Sequence, residues 1–175
     1  MQKNFLLTFF IAFFLSFFST KITAQIQLTD SNLPIVVIET FSEINEFERI
    51  VAEMGIINNV DGERNYITDE YNEYDGRIEI KYRGSSSLGF DKKNYSVETQ
   101  TETGENNNVP LFGFAEENDW VMHGPFSDKT LMRNVLAYEI GRRQGKYQPH
   151  TKFCELVIDG EYQGVYVFLE KIKKD

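Results

Sequence analysis

One cysteine, two histidines, one tryptophan and four prolines occur in these 175 residues, and each scarcity removes a class of explanation. The lone Cys154 forms no internal disulfide, so stability must come from packing rather than covalent stapling. It stands in an alternating stretch, which makes it a small buried residue and not a nucleophile. His123 and His150 are far apart and have no partners at ligand spacing, which argues against a zinc site. Positive charge is also short: 18 Lys and Arg against 27 Asp and Glu leave a net −9. Such a surface lacks the broad basic face that nucleic-acid binding requires, although a local basic pocket remains open. Long apolar runs are missing as well. The one sustained run, from Phe5 to Phe18, falls short of the roughly 20 residues that cross a bilayer as a helix.

That run has a different use. Lys3 precedes it and Thr23-Ala24 closes it, the layout of a secretory signal peptide: a charged start, an apolar middle and a small residue at the cut. Cleavage is expected after Ala24, leaving residues 25–175 as one domain long enough to bury a core. Loss of Lys3 and Lys21 takes the formal charge from −9 to −11. The expected location is secreted, periplasmic or at the cell surface, with no stable membrane insertion after cleavage. An uncleaved anchor is the competing reading. At its other end the sequence stops in "EKIKKD", directly after an apolar strand pattern, and is expected to be a fragment of something longer.

The body of the chain reads mainly as strands. "LPIVVIET", 33–40, is a β-branched run typical of a buried strand. Residues 49–59 set Ile50, Ala52, Met54 and Ile56 on one side at period two, with a helix over 42–52 as the competitor. Residues 59–76 form an acidic loop in which EF-hand spacing is absent. "GRIEIKYRG", 76–84, alternates Ile78, Ile80 and Tyr82 against Arg77, Glu79, Lys81 and Arg83. "KNYSVET" continues the pattern after a Ser-Gly loop, giving a hairpin, and 101–108 is another solvated loop. Residues 118–124 form a short strand that carries Trp120 as a core residue. One helix is expected from Asp128, as N-cap, to Arg143, with Leu131, Val135 and Tyr138 in an apolar stripe and Gly145 as the stop. Arg133 and Asn134 on it are expected to bond to neighbouring strands or loops. Residues 152–172 form a second hairpin around Asp159-Gly160, with Gly164 marking a bulge or a close backbone approach. The order predicts an α+β fold, an antiparallel sheet with one main helix on a face.

The loop "RGSSSLGFDKKN" carries the candidate chemistry. Gly84 and Gly89 permit close backbone approach, Ser85, Ser86 and Ser87 offer hydroxyl donors, and Arg83, Lys92 and Lys93 place positive charge at both ends. A loop of this kind can cradle phosphates without a Walker motif, although a polar β-turn is the plainer reading. Tyr95 and Val97 share parity with Lys93, which turns Lys93 toward the apolar side and Lys92 away from it.

Four blocks, "LPIVVIET", "IEIKYRGSSSLGFDKKNYSVET", "NDWVMHGPFSDKTLMRNVLAYEIGRRQGKYQP" and "CELVIDGEYQGVYVFLEKIKKD", together resemble the N-terminal part of the CotH kinase family, the spore coat protein H proteins and their relatives. The resemblance runs over most of residues 33–175 in the right order. It implies an atypical protein-kinase-like fold with a sheet-rich first lobe and a helical second one. It implies ATP with Mg²⁺ or another divalent metal as cofactors, and a secreted or surface protein phosphorylated on serine as partner. Residues 84–91 would cover the phosphates, Lys92 or Lys93 would grip them, Glu139 on the helix would pair with that lysine, and Glu170 would lie near the adenine. The strand before the helix has no lysine, unlike ordinary kinases. No HRD-like or DFG-like segment is present, so the catalytic aspartates are expected beyond Asp175, with neither a catalytic residue nor a metal ligand in this stretch. Two alternatives stand beside this reading. One is a non-catalytic surface or coat-assembly module with the same fold. The other is a carbohydrate-binding secreted domain, suggested by nine tyrosines and the acidic loops.

Overall fold

The computed structural model describes residues 26–60 and 62–173; the expected signal peptide, 1–24, lies outside the described residues. Two short strands, β1 (Asp30–Ser31) and β4 (Asn65–Tyr66), pair with each other. Seven longer strands close a barrel: β2 (Ile35–Thr40), β3 (Ile50–Ile57), β5 (Tyr74–Arg83), β6 (Asn94–Thr99), β7 (Asp119–His123), β8 (Thr151–Ile158) and β9 (Glu161–Glu170). Their order around the wall is β2-β3-β5-β6-β7-β9-β8. Every neighbouring pair is antiparallel except the seam, where β2 runs parallel to β8 with Ile35 opposite Glu155 and Ile38 opposite Ile158.

This corrects the expected α+β sheet with a kinase-like N-lobe shape. The protein is mostly β, and its one α-helix among the described residues, α1 (Arg133–Arg143), is only 11 residues long. Two causes are visible. The sheet closes because β2, with apolar residues on both faces, supplies the missing neighbour of β8. The helix starts four residues late, with Met132 at the N-cap position, because Leu131 has φ 62°, outside the helical range. Asp128 still caps it, from a distance: its carboxylate accepts from the Arg133 amide at 2.8 Å and the Thr130 amide at 3.0 Å.

Alternation fills the barrel. Ala52, Met54 and Ile56 from β3, Ile78 and Ile80 from β5, Tyr95 and Val97 from β6, Trp120 and Met122 from β7, Cys154 and Leu156 from β8, and Tyr166 and Phe168 from β9 all point inward and are buried. Each full burial of such an apolar side chain is worth about 1.5–3 kcal/mol. Within the expected stretch 49–59, residues 50–57 are thus a strand and not the competing helix, and Trp120 is core. Burial drives the Cys154 thiol pKa far up, which keeps it a neutral, inert core atom. The β8–β9 hairpin turns on Asp159 and Gly160, both at positive φ (51° and 76°), the type I′ geometry that suits the strand twist. The bulge falls where Gly164 suggested: the register slips between Leu156 and Val157, opposite Gly164 and Tyr162.

Outside the barrel, α1 lays Val135 and Tyr138 over Val121, Val167, Leu169 and Phe153. This contact fixes the start of α1 beside the ends of β5, β6 and β7.

Candidate functional site

A cleft of about 440 Å³ opens at that corner, lined by the loop after β5, the end of β7 and the start of α1. Its chemistry comes from Arg83, Ser87, His123, Asp128, Arg133 and Asn134, with Phe90 and Phe126 stacked at one side, centroids 5.0 Å apart.

The loop is built to fold back on itself. Gly84 takes φ 134°, and a Cβ there would stand 2.1 Å from Ser87 Oγ, so only glycine brings the chain out of β5 at this angle. A 3-10 turn over Ser86–Gly89 follows, its ends tied by Leu88 N–H to Ser85 C=O (3.2 Å) and Phe90 N–H to Ser87 C=O (3.1 Å). Ser87 faces the cleft; Ser85 and Ser86 are exposed and do not line it. The Arg83 side chain lines the cleft and makes no hydrogen bond or ion pair among the described residues. Arg133, across the opening, leans on Asp128 at 3.4 Å and is otherwise exposed.

The floor centres on His123. Asn94 Oδ1 accepts from the buried Gly124 amide at 2.8 Å and lies 2.9 Å from His123 Nδ1. An oxygen already serving as acceptor there requires Nδ1 to carry the proton. Nε2 then accepts from Asn134 Nδ2 at 3.1 Å. The ring is held neutral, in one tautomer, between β6 and α1. Burial lowers its pKa below the ordinary histidine value and the Arg83 charge pushes the same way, while Asp128 opposes. Asp128 itself is held below the usual carboxylate range, chiefly by the Arg133 amide and the Thr130 hydroxyl.

A pH dependence follows. A histidine with a lowered folded-state pKa binds more protons when unfolded, so its contribution to stability is complete above about pH 6.5 and is lost as pH falls toward the folded value. The midpoint of thermal unfolding is expected to drop between pH 7.5 and pH 5. His123→Gln should remove part of that drop; an identical pH profile in the variant would refute the assignment.

The structure separates the other expected site residues. Lys92, not Lys93, turns toward the apolar side: its Nζ stands 4.3 Å over the Tyr166 ring and donates to Gln163 C=O at 3.0 Å. Burial lowers its pKa, against the opposing charge of Glu155. Lys93 Nζ donates to Leu88 C=O at 2.7 Å and so braces the loop. The parity argument failed because the pleat begins at Asn94 and does not reach the lysines. Glu139 pairs with neither lysine; it takes Arg142 and Arg143, each at 2.7 Å, the natural partners three and four residues on. Glu170 is buried and accepts from the His150 amide at 2.8 Å, away from the cleft lining. Asn134 bonds a neighbouring strand as expected, whereas His123 and Asn94 were missed. Their only prior signal was position: His123 is an outward residue at the end of a strand, next to Gly-Pro.

Magnesium finds no cage here. Among the described residues no group of three His, Cys, Asp or Glu side chains could hold a metal ion, and the one carboxylate in the cleft, Asp128, is occupied by its hydrogen bonds. What the arrangement offers is two cations, donors and a neutral imidazole around an open volume, in a chain of net −9. That suits an anion.

Comparison with known proteins places residues 80–175 in a match to a family described as "CotH kinase protein". A curated relative, inner spore coat protein H of Bacillus subtilis (strain 168), is 29% identical over 96 residues, which is 54% of this chain and 24% of the relative. The match therefore spans about a quarter of that relative's length.

Proposed function

Because this chain belongs to the CotH family, we propose that the cleft beside His123 takes the phosphates of ATP, and that the whole protein is an exported kinase acting on serine of an extracytoplasmic or coat protein. The carrying observation is that the Arg83 guanidinium, without a hydrogen-bond or ion-pair partner among the described residues, lines one opening together with Arg133. Two guanidinium groups match phosphate oxygens in geometry as well as in charge. Ser87 and Asn134 add neutral donors, and Asn94 holds the His123 ring in place. Lys93 keeps the loop folded by holding Leu88 C=O. These residues bind and position; no phosphoryl-transfer step is assigned to them, and no metal is placed among them. The leader at 1–24 would export the chain, and coat placement follows the name of the relative.

The test is a thermal-shift titration of this chain with ATP, adenosine and inorganic phosphate, with and without magnesium. ATP at ten times its dissociation constant adds about 1.4 kcal/mol, which raises the midpoint by roughly 3–6 °C in a domain of this size. Adenosine should do far less. Arg83→Ala should weaken the ATP response at least about tenfold, the cost of one charged contact. A wild-type chain whose midpoint ignores ATP would sink the reading.

A further inference from the structure

A second cleft, of about 370 Å³, lies on the outer wall over β2 and the β8–β9 turn. Its size falls at the low end of ordinary small-molecule sites. Tyr71 and Tyr162 flank it, Glu39 and Gln27 sit at its edge, and Val37 and Val157 give an apolar floor.

Both aromatic rings are fixed before any ligand arrives. Tyr71 lies flat on the backbone of Gly55: a Cβ there would stand 2.4 Å from three of its ring atoms. A glycine inside a central strand weakens the strand, and here its position lets a ring sit directly on the sheet. Tyr162 is held by its hydroxyl, which donates to Glu155 Oε2 at 2.6 Å, while Ser31 Oγ donates to Glu155 Oε1 at 2.9 Å. Pre-fixed rings lose little freedom on binding.

The polar groups narrow the ligand. Among the described residues, Glu39 is the only charged side chain lining the cleft, and its carboxylate has no hydrogen-bond or ion-pair partner there. Among the described residues no cation lines it, which favours a neutral ligand over an anionic one. Burial, with the charges of Glu39 and Asp75, raises the Tyr71 pKa, so its phenol remains a donor at neutral pH. Rigid aromatic faces fit the C–H face of a sugar ring, and an unpaired carboxylate with a neighbouring amide fits its hydroxyls.

We propose that this cleft binds a neutral pyranose unit of a saccharide, independently of the nucleotide site. The test is calorimetry and amide-resolved NMR on the full chain with tri-N-acetylchitotriose, cellotriose and trigalacturonic acid. At least one neutral trisaccharide should bind saturably and shift the amides of Gly55, Gly160 and Tyr162, and the acidic one should bind at least tenfold more weakly. Tyr71→Ala should weaken binding about tenfold through loss of the stacking face. Since that change also uncovers Gly55, Glu39→Gln on the surface provides the second variant: several-fold weaker binding at unchanged thermal midpoint. Absence of saturable binding by both neutral trisaccharides, stronger binding of the acidic one, or binding that neither variant alters would overturn the proposal.

Discussion

Replacing Trp120 with alanine is expected to cost about 3–5 kcal/mol of folding stability, the range for emptying a large aromatic site in a packed core. Trp120 is fully buried, and its ring lies 5.2 Å from Phe168 and 6.4 Å from Phe114, centroid to centroid. No other side chain in this protein combines that volume with complete burial. The same residue gives an internal control. Its indole Nε1 is buried without a hydrogen-bond partner. Trp120→Phe therefore removes an unsatisfied donor together with some volume, and the two effects oppose each other. Urea unfolding of the three proteins should place the phenylalanine variant much nearer to wild type than to the alanine variant. Equal losses in the two variants would mean that the indole nitrogen has a partner.

Gly124→Ala is the second large effect. Gly124 closes β7 and is the joint between barrel and cleft. A Cβ on it would stand 2.8 Å from Lys93 C=O, 3.0 Å from Lys92 Cγ and 3.0 Å from Tyr166 Cε1. The first of these is backbone and cannot step aside, so the strand end must shift. Overpacking of this kind costs about 1–3 kcal/mol. The shift would also strain the bond from the Gly124 amide to Asn94 Oδ1, which fixes His123. A midpoint loss in urea together with a weaker ATP response is expected. A variant as stable as wild type would show that β7 ends more loosely than described.

The sequence discloses local pattern and stops there. Alternation at Ile78, Ile80 and Tyr82 placed β5 correctly, and Asp159-Gly160 placed a hairpin whose dihedrals match its composition. These are local signals, written within a few residues. Closure of the barrel is not local: β2 meets β8 across some 120 residues of chain, and no period records which strand becomes whose neighbour. The cleft was half legible. Arg83, Gly84 and Ser87 were found because small and basic residues cluster there. His123 was passed over because its partners, Asn94 and Asn134, lie 29 and 11 residues away and match no known spacing. Glu139 illustrates a different failure. Arg142 and Arg143 stood at the right intervals to claim it, and the resemblance to kinases outweighed that simpler reading.

The parallel seam bears on how this protein can be handled. The stretch shared with relatives begins at residue 80, inside β5, and omits both β2 and β3. A gene fragment trimmed to that stretch would lose two staves of seven and most of a third, since only residues 80–83 of β5 remain, and would expose bare strand edges on that stub and on β8, the kind of surface that recruits other chains into aggregates. Cloning boundaries should therefore be set upstream of Ile35, where the last stave is complete, and not where kinship with other sequences becomes visible.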